Sequence, residues 1–84
     1  DAGSIEVADQ YAGPGFGLLD GPTKEAVQRV ARTEGIVLDP TYSGKGFAGL
    51  LDHIRQGRLI KGEDVVFVHT GGTPLVFVYG GMLL

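Results

Sequence analysis

The chain has 84 residues, a formal net charge of −3 and no cysteine, and a unit of this size forms at most one small domain that buries only about 60% of its unfolded surface. The lack of cysteine excludes disulfides and thiolate metal sites, His53 and His69 are too far apart in sequence to indicate zinc, and the interspersed charges argue against nucleic-acid binding. No apolar run approaches the roughly 20 residues that span a bilayer, so we predict no membrane span and a cytoplasmic location.

Residues 1–22 are predicted to form a loop-rich N-terminal segment. Within it, GPGFG at residues 13–17 places three glycines and a proline in five positions. This composition favours turns over a regular element. The remaining residues, 23–84, contain the helical and strand patterns and are predicted to form part of an α/β domain.

A first helix is predicted to begin at Thr23, interpreted as its N-cap, and to end near Gly35. The apolar residues between these points recur on one helical face; they are Ala26, Val27, Val30 and Ala31. A short buried strand is predicted at residues 36–38. Asp39-Pro40 ends this strand, because the residue before proline avoids helical angles and proline has no N–H to donate.

A second helix is predicted from Ser43, interpreted as its N-cap, to a stop at Gly57. Its apolar residues recur at i, i+3, i+4 and i+7; they are Phe47, Leu50, Leu51 and Ile54. The run VVFVH at residues 65–69 predicts a second strand. TPLVFVYGG, residues 73–81, favours a short helix that Thr73 could cap.

Both predicted strands are apolar on both faces, which is typical of parallel sheets covered by helices on both sides. The order strand, helix, strand predicts a right-handed crossover in an α/β fold. Two strands and two or three helices cannot cover both faces of such a sheet. We therefore expect further chain, from another segment or another subunit, to pack here.

The glycine-rich stretch TYSGKGFAG, residues 41–49, raises the alternatives of a P-loop and a dinucleotide site. A P-loop is excluded because the places of its first glycine and of its final Ser or Thr hold Asp39 and Gly46. The glycine spacing fits the dinucleotide pattern G-x-G-x-x-G better. That site, however, needs an acidic residue at the end of the second strand, where the sequence has His69 and Thr70.

A different role is expected for each part of this stretch. Gly49 is expected to permit close helix packing. Ser43 and Gly44 lie at a helix N-terminus just after a strand, where N–H groups and the helix dipole favour anionic or polar ligands. The loop at residues 69–72 reaches the same end of the sheet, so a ligand site is predicted where the two loops converge.

Three separated segments closely resemble the C-terminal part of the D-cysteine desulfhydrase and 1-aminocyclopropane-1-carboxylate (ACC) deaminase family, in family order and spacing. They are GPGFG at residues 13–17, EGIVLDPTYSGKGFAGLLDHIRQG at 34–57 and VVFVHTGGTPLVFVYG at 65–80. The resemblance implies a pyridoxal-phosphate enzyme of fold type II, the tryptophan-synthase-β type. Residues 23–84 would then be the C-terminal part of its three-layer αβα cofactor-binding domain, which is built on a parallel sheet.

The resemblance also implies partners. A complete member is several times longer, and its Schiff-base lysine, phosphate loop and substrate-carboxylate serine are implied to lie outside this chain. The chain alone is therefore expected to be inactive and to need the N-terminal portion of the same enzyme, which usually forms homodimers. Lys24, Lys45 and Lys61 are expected on polar helix faces or in a solvated turn, so none is a candidate for a nucleophilic lysine.

The resemblance assigns five site residues. Tyr42, of the DPxY motif, is implied to lie against the cofactor ring close to the substrate and is the catalytic candidate. Thr70 is implied to offer its hydroxyl to the pyridine nitrogen, with Gly71 beside it, and Ser43 stands where the deaminases carry a glutamate. Phe16 replaces a second active-site tyrosine and is expected near the substrate. No metal ligand is implied.

Structural alternatives accompany these assignments. Tyr42 could be a half-buried structural tyrosine, and Thr70 could be a helix-capping residue. His69 is expected to be buried at the end of its strand and bonded to the backbone. His53 is expected to be solvated on the polar side of the second helix.

The residue beside the pyridine nitrogen bears on the reaction. A carboxylate keeps that nitrogen protonated and makes the ring a strong electron sink, whereas a hydroxyl can serve a neutral nitrogen and gives a weaker sink. Opening a cyclopropane needs the stronger sink, so Ser43 and Thr70 favour β-elimination, with D-cysteine giving pyruvate, hydrogen sulfide and ammonia. ACC deamination is the alternative, and a non-catalytic stand-alone interaction domain is the alternative from another class.

Overall fold

The computed structural model describes residues 5–13, 20–77 and 81. Two long helices dominate this part of the chain: α1, Gly21–Glu34, and α2, Ser43–Arg55, which pack against each other. Residues 75–77 are also helical, which agrees with the predicted short helix, and most of its remainder lies outside the described residues. Within the described ranges, no helix combines the length and the apolar character needed to cross a bilayer.

Asp20 is the N-cap of α1, so the interpretation of Thr23 as the cap was wrong. The Asp20 side chain accepts the Thr23 N–H at 2.8 Å, and Thr23 itself is buried. Aspartate is a strong N-cap, and the proline that follows it suits the first turn of a helix. The C-terminal end is as predicted, because Gly35 adopts a left-handed conformation (φ 66°) and its N–H donates to the Ala31 carbonyl.

The second helix begins at Ser43, but Ser43 is not its N-cap. That position belongs to Tyr42, whose side chain makes no capping hydrogen bond. The predicted stop at Gly57 is confirmed, because this residue has a positive φ of 72° and donates its N–H to the Ile54 carbonyl. The next N–H, from Arg58, donates to the carbonyl at residue 53, which completes a Schellman motif.

Neither predicted strand forms a ladder among the described residues. Residues 36–38 and 65–69 have no strand assignment, and they are joined by a side-chain hydrogen bond of 2.8 Å between His69 Nε2 and the Val37 carbonyl. A strand exists only through backbone hydrogen bonds with a neighbouring strand, and the described segments do not supply one to each other. The two strands expected from the apolar pattern are therefore not observed, and the three-layer sheet remains a prediction.

A small apolar core joins the two helices to these segments. Val27, Val30 and Leu38 are buried, and Phe47, Phe67 and Val76 pack against them. The Phe47 and Phe67 rings meet edge to face, with centroids 5.1 Å apart and planes at 76°. Residues 65–69 are thus held on the helix pair by side-chain packing rather than by strand pairing.

The same segments expose large apolar side chains. Val66 is 88% exposed and Phe77 is 87% exposed, while Ile36 and Val37 are about half exposed. Large apolar side chains left in solvent are available for contact with further protein. This exposure agrees with the expectation that further chain packs on these residues.

Candidate functional site

The side chain of Asp39 organises the turn before α2. Asp39 is fully buried, and its Oδ2 accepts the N–H groups of Thr41 at 2.8 Å and Tyr42 at 2.7 Å. Its Oδ1 accepts the Ser43 N–H at 2.8 Å and the Ser43 hydroxyl at 2.6 Å. The Asp39 N–H in turn donates to Ser43 Oγ at 2.9 Å. A carboxylate of the chain itself therefore occupies the N–H groups at the start of α2.

This occupancy argues against a phosphate at the same helix end. A phosphate bound there needs free backbone N–H groups, yet those of residues 41–43 serve Asp39 and that of Gly44 donates to the Asp39 carbonyl at 2.7 Å. A Cβ added to Gly44 would overlap the same carbonyl oxygen and lie 2.8 Å from Val27 Cγ2. Gly44 thus permits close packing of α2 on α1, and the expectation that it faces a ligand was wrong.

The ionisation of Asp39 follows from these contacts. Burial alone would raise the pKa of its carboxyl, but the hydrogen bonds from the Ser43 hydroxyl and from the N–H groups of Ser43, Tyr42 and Thr41 outweigh burial and hold the pKa below its ordinary value of 3.8. The carboxylate is therefore charged at neutral pH. Its charge lies at the positive end of the α2 dipole, where an anion is stabilised.

The loop at residues 69–72 meets the Asp39 turn. Gly72 has a φ of 82°, and a Cβ on it would lie 2.7 Å from both Cγ and Oδ1 of Asp39. Only glycine fits at this point, because a side chain would need both the space of the carboxylate and a backbone conformation that other residues rarely adopt. The two loops therefore meet as predicted, although the strands that they were expected to follow are not observed.

His69 holds the base of this loop. Its Nδ1 accepts the Gly71 N–H at 3.1 Å, so its Nε2 carries the proton and donates to the Val37 carbonyl at 2.8 Å. The predicted bonding to the backbone is confirmed. The predicted burial was wrong, because the residue is exposed; residues 65–69 have no strand neighbour to cover it.

A cavity of about 650 Å³ lies between α2 and residues 8–12. Its volume is typical of sites for small molecules, which span roughly 300 to 1,000 Å³. The α2 side and the preceding turn contribute Thr41, Tyr42, Lys45, Gly46, Gly49, Leu50 and His53, and the N-terminal segment contributes Ala8, Asp9, Tyr11 and Ala12. The Tyr42 side chain, about half exposed, is part of this wall.

The sequence led us to expect Lys45 on a solvated helix face, and this expectation was wrong. Lys45 is only 8% exposed, and its Nζ donates to the Ala12 carbonyl at 2.6 Å. A buried ammonium needs hydrogen-bond acceptors, and a partner 33 residues earlier in the chain supplies one here. The contact ties the N-terminal segment to α2 at the edge of the cavity.

Tyr11 contributes a polar contact that sequence reasoning missed. Its hydroxyl donates to Asp52 Oδ2 at 2.6 Å, and the same carboxylate oxygen accepts from Gln56 Nε2 at 2.6 Å. The hydrogen bond to Asp52, together with desolvation, raises the pKa of Tyr11 above its usual value. The Tyr11 phenol is therefore neutral at physiological pH and remains a hydrogen-bond donor.

The Tyr11 ring also explains two residues of α2. A Cβ on Gly49 would lie 3.1 Å from this ring, so the packing role expected for Gly49 is confirmed, although the ring takes the place of the expected helix or sheet. His53 meets the ring edge to face at 5.7 Å between centroids. His53 is half buried at this ring and makes an exposed contact with Arg58 through its Nε2, so its predicted solvation is observed in part.

The residues assigned from the family resemblance occupy different surroundings. Tyr42 lines the cavity, whereas Ser43 is buried with its hydroxyl both donating and accepting within the turn. Thr70 is exposed and is not part of the cavity wall, and Gly71 is half buried with a φ of 98°. Phe16 lies outside the described residues.

The polar groups of the described residues leave no sign of a metal site. Among them, no group of three or more His, Cys, Asp or Glu side chains is arranged to hold an ion. Every buried side-chain nitrogen or oxygen in the same part of the chain also has a hydrogen-bond partner.

Residues 1–71 match the family of pyridoxal-phosphate dependent enzymes. This match covers most of the chain, which therefore belongs to that family. The cofactor expected from the three-segment resemblance, pyridoxal phosphate, is thereby confirmed.

A solved structure narrows the relationship. The chain is similar to a crystal structure of an ACC deaminase homologue, with 40% sequence identity, a TM-score of 0.76 and a match that covers 94% of the chain. The chain spans a quarter (25%) of the length of that protein's chain. Both the predicted family and the assignment to fold type II are confirmed at this level, whereas the details of the sheet are not.

The described residues around the cavity fit the ring of this cofactor, whereas the start of α2 does not offer free N–H groups to its phosphate. For the ring, the cavity offers the Tyr42 aromatic side chain and a mainly apolar wall. For the phosphate, the N–H groups at the start of α2 are bound to Asp39.

Proposed function

We propose that this chain is the C-terminal segment of a pyridoxal-phosphate dependent lyase that acts by β-elimination on a sulfur amino acid. D-cysteine and one water would give pyruvate, hydrogen sulfide and ammonia. The observation that supports this best is Tyr42, which lies on the wall of a cavity of ligand size in a chain of this enzyme family. The N-terminal portion of the same enzyme would supply the covalent lysine and the phosphate site.

Tyr42 is the residue proposed to lie against the cofactor ring and close to the substrate. Its backbone N–H is fixed by Asp39, so the ring is carried by a turn with a defined geometry. When bound, pyridoxal phosphate supplies the electron sink that stabilises negative charge on the substrate. Tyr42 would contribute by holding the cofactor ring in line with the substrate and by excluding water from the face of the cofactor ring that it covers.

Thr70, which lies outside the cavity wall, is proposed to bond the pyridine nitrogen through its hydroxyl, with the ring extending from Tyr42 toward the loop at residues 69–72. It is exposed at the start of a loop in which Gly71 and Gly72 both have positive φ, and such backbone can lie close to a flat ligand. The hydroxyl of Ser43, which stands where the deaminases carry a glutamate, is engaged by Asp39 in both directions. Thr70 is therefore the better candidate for the nitrogen.

The choice of reaction depends on this hydroxyl. A neutral, hydroxyl-bonded nitrogen gives a weaker electron sink than one paired with a carboxylate. Elimination of hydrosulfide, a good leaving group, requires less stabilisation of negative charge than the opening of a cyclopropane ring. ACC deamination is the second candidate, and the similarity to an ACC deaminase homologue favours it.

Product analysis on the full polypeptide that carries these residues, loaded with pyridoxal phosphate, tests the proposal. We expect D-cysteine to give pyruvate and hydrogen sulfide in equal amounts. Conversion of ACC to 2-oxobutyrate as the main activity would establish the second candidate instead. Cofactor binding without either product would reject both reactions, and failure to bind the cofactor would favour a non-catalytic interaction domain.

A further inference from the structure

We infer that Asp39 is a positioning residue that couples the Tyr42 turn to the loop at residues 69–72. One buried carboxylate would then set both parts of the chain that are proposed to meet the cofactor ring. The inference rests on the proposed function for its catalytic consequence. Its structural content, that the two loops depend on one side chain, stands on the contacts alone.

The contact with the Tyr42 turn is direct. Asp39 Oδ2 accepts both the Thr41 and the Tyr42 N–H groups, and Asp39 is 0% exposed, so water cannot replace it without rearrangement. Tyr42 makes no side-chain cap of its own. The Tyr42 backbone at the start of α2 is therefore fixed by a hydrogen bond to another side chain, that of Asp39.

The contact with the second loop is one of shape. The backbone of Gly72 lies so close to the carboxylate that a Cβ would be 2.7 Å from Oδ1 and 3.0 Å from Oδ2. The far end of the same loop is tied to residue 37 through His69. The loop is thus confined between the segment that precedes Asp39 and the Asp39 side chain itself.

Ser43 locks the carboxylate in place. Its hydroxyl donates to Oδ1 at 2.6 Å while it accepts the Asp39 N–H at 2.9 Å, which fixes the side chain relative to its own backbone. This gives Ser43 a supporting role toward Asp39. The pair forms a closed unit of two residues between the two loops.

Only a carboxylate satisfies all four donors. An ionised Asp presents two oxygens that accept in several directions, whereas Asn presents one oxygen and an amide that can only donate. In Asp39→Asn, the amide would face either the Thr41 and Tyr42 N–H groups or the two donors of Ser43. The variant keeps the size of the side chain and leaves one or two backbone N–H groups without an acceptor, because the Ser43 hydroxyl can turn to accept from the amide whereas the N–H groups can only donate.

Hydrogen exchange on the cofactor-loaded full polypeptide tests the structural part. We expect Asp39→Asn to accelerate amide exchange at residues 41–43 by about tenfold or more, since each lost bond was made to a charged acceptor. Exchange of the Gly71 N–H, which donates to His69, should accelerate at the same time, because an amide side chain held by fewer hydrogen bonds no longer keeps a fixed position against Gly72. Asp64→Asn, the same change at an exposed position of the chain, serves as the control and should leave both segments unchanged.

A double-mutant cycle tests whether Asp39 acts through Tyr42. The turnover number is measured per bound cofactor, so that loss of folded protein does not count. Asp39→Asn should lower it by about tenfold in the parent enzyme and by less than about twofold in the Tyr42→Ala background, because coupled residues are not additive. Equal losses in the two backgrounds would overturn the positioning role.

Other outcomes are also decisive. Faster exchange at residues 41–43 with unchanged exchange at 69–72 would overturn the coupling of the two loops. If Asp39→Asn does not fold, Ser43→Ala should accelerate exchange in both segments to a smaller degree, and no change there would reject the inference. A parent enzyme that releases neither product would refute the proposed function, while the exchange experiment would still decide the coupling.

Discussion

At the scale of single residues, Asp39 gives the chain a defined sensitivity to acid. Hydrogen bonds hold its folded-state pKa below the ordinary value of 3.8. The carboxylate therefore contributes stability that is fully present above pH 3.8 and is lost as the pH falls from 3.8 through the lower folded-state pKa.

The direction of this pH dependence can be measured with Asp39→Asn. The free energy of unfolding of the full polypeptide should be lower in the variant by about 2 to 4 kcal/mol at neutral pH, since one or two hydrogen bonds from backbone N–H groups to a buried charged group are lost. The difference between parent and variant should shrink as the pH falls below 3.8. Denaturant titrations at stepped pH check this, and a difference that does not change with pH would contradict it.

At the scale of the elements, Gly44 sets how closely α2 packs on the rest of the chain. A Cβ there would meet the Asp39 carbonyl, Val27 and Thr23, whereas a Cβ on Gly21, in the first turn of α1, meets nothing within 4 Å. Both glycines lie at the start of a helix, and neither has a positive φ. Replacing each glycine by alanine therefore compares a crowded position with an open one, and backbone conformation contributes little to the difference.

Gly44→Ala should lower the free energy of unfolding by about 1 to 3 kcal/mol, because overpacking forces neighbouring groups apart. Gly21→Ala should have no effect or raise it by up to about 1 kcal/mol, because alanine restricts the unfolded chain more than glycine does. Thermal unfolding of the two variants measures the contrast. Equal effects would mean that α2 does not depend on close contact at Gly44.

The helices and their C-terminal ends could be predicted from the sequence, whereas their N-terminal caps could not. Apolar periodicity and the glycines at 35 and 57 mark α1 and α2 and their C-terminal ends. The caps depend on which of several polar side chains reaches the free N–H groups, and in both helices an aspartate upstream of the predicted cap does so. Sequence alone does not rank such competitors, because the ranking depends on backbone angles.

The cavity wall shows a second limit of prediction from the sequence. The motif drew attention to Tyr42, which lines the cavity, but the burial of Lys45 and the role of Tyr11 depend on contacts between segments 33 and 41 residues apart. No local pattern marks such contacts. Gly49, whose lack of a side chain accommodates the Tyr11 ring, was the available signal.

At the scale of the whole molecule, the predicted strands lack the neighbours that would make them strands. Residues 65–69 and 36–38 carry apolar side chains that remain in solvent, and the chain spans a quarter of the protein it resembles. In the proposed enzyme, the N-terminal portion would cover this surface and pair with these segments. The same packing would close the cofactor site over Tyr42 and Thr70.

A crystal structure of the full polypeptide with bound pyridoxal phosphate tests most directly whether Tyr42 and Thr70 contact the cofactor ring and whether further chain covers the exposed apolar residues. We expect the Tyr42 ring against the pyridine ring, the Thr70 hydroxyl about 2.6 to 3.1 Å from the pyridine nitrogen, and Val66 and Val68 buried by neighbouring strands. A cofactor bound away from Tyr42 and Thr70, or valines that remain in solvent, would contradict the account.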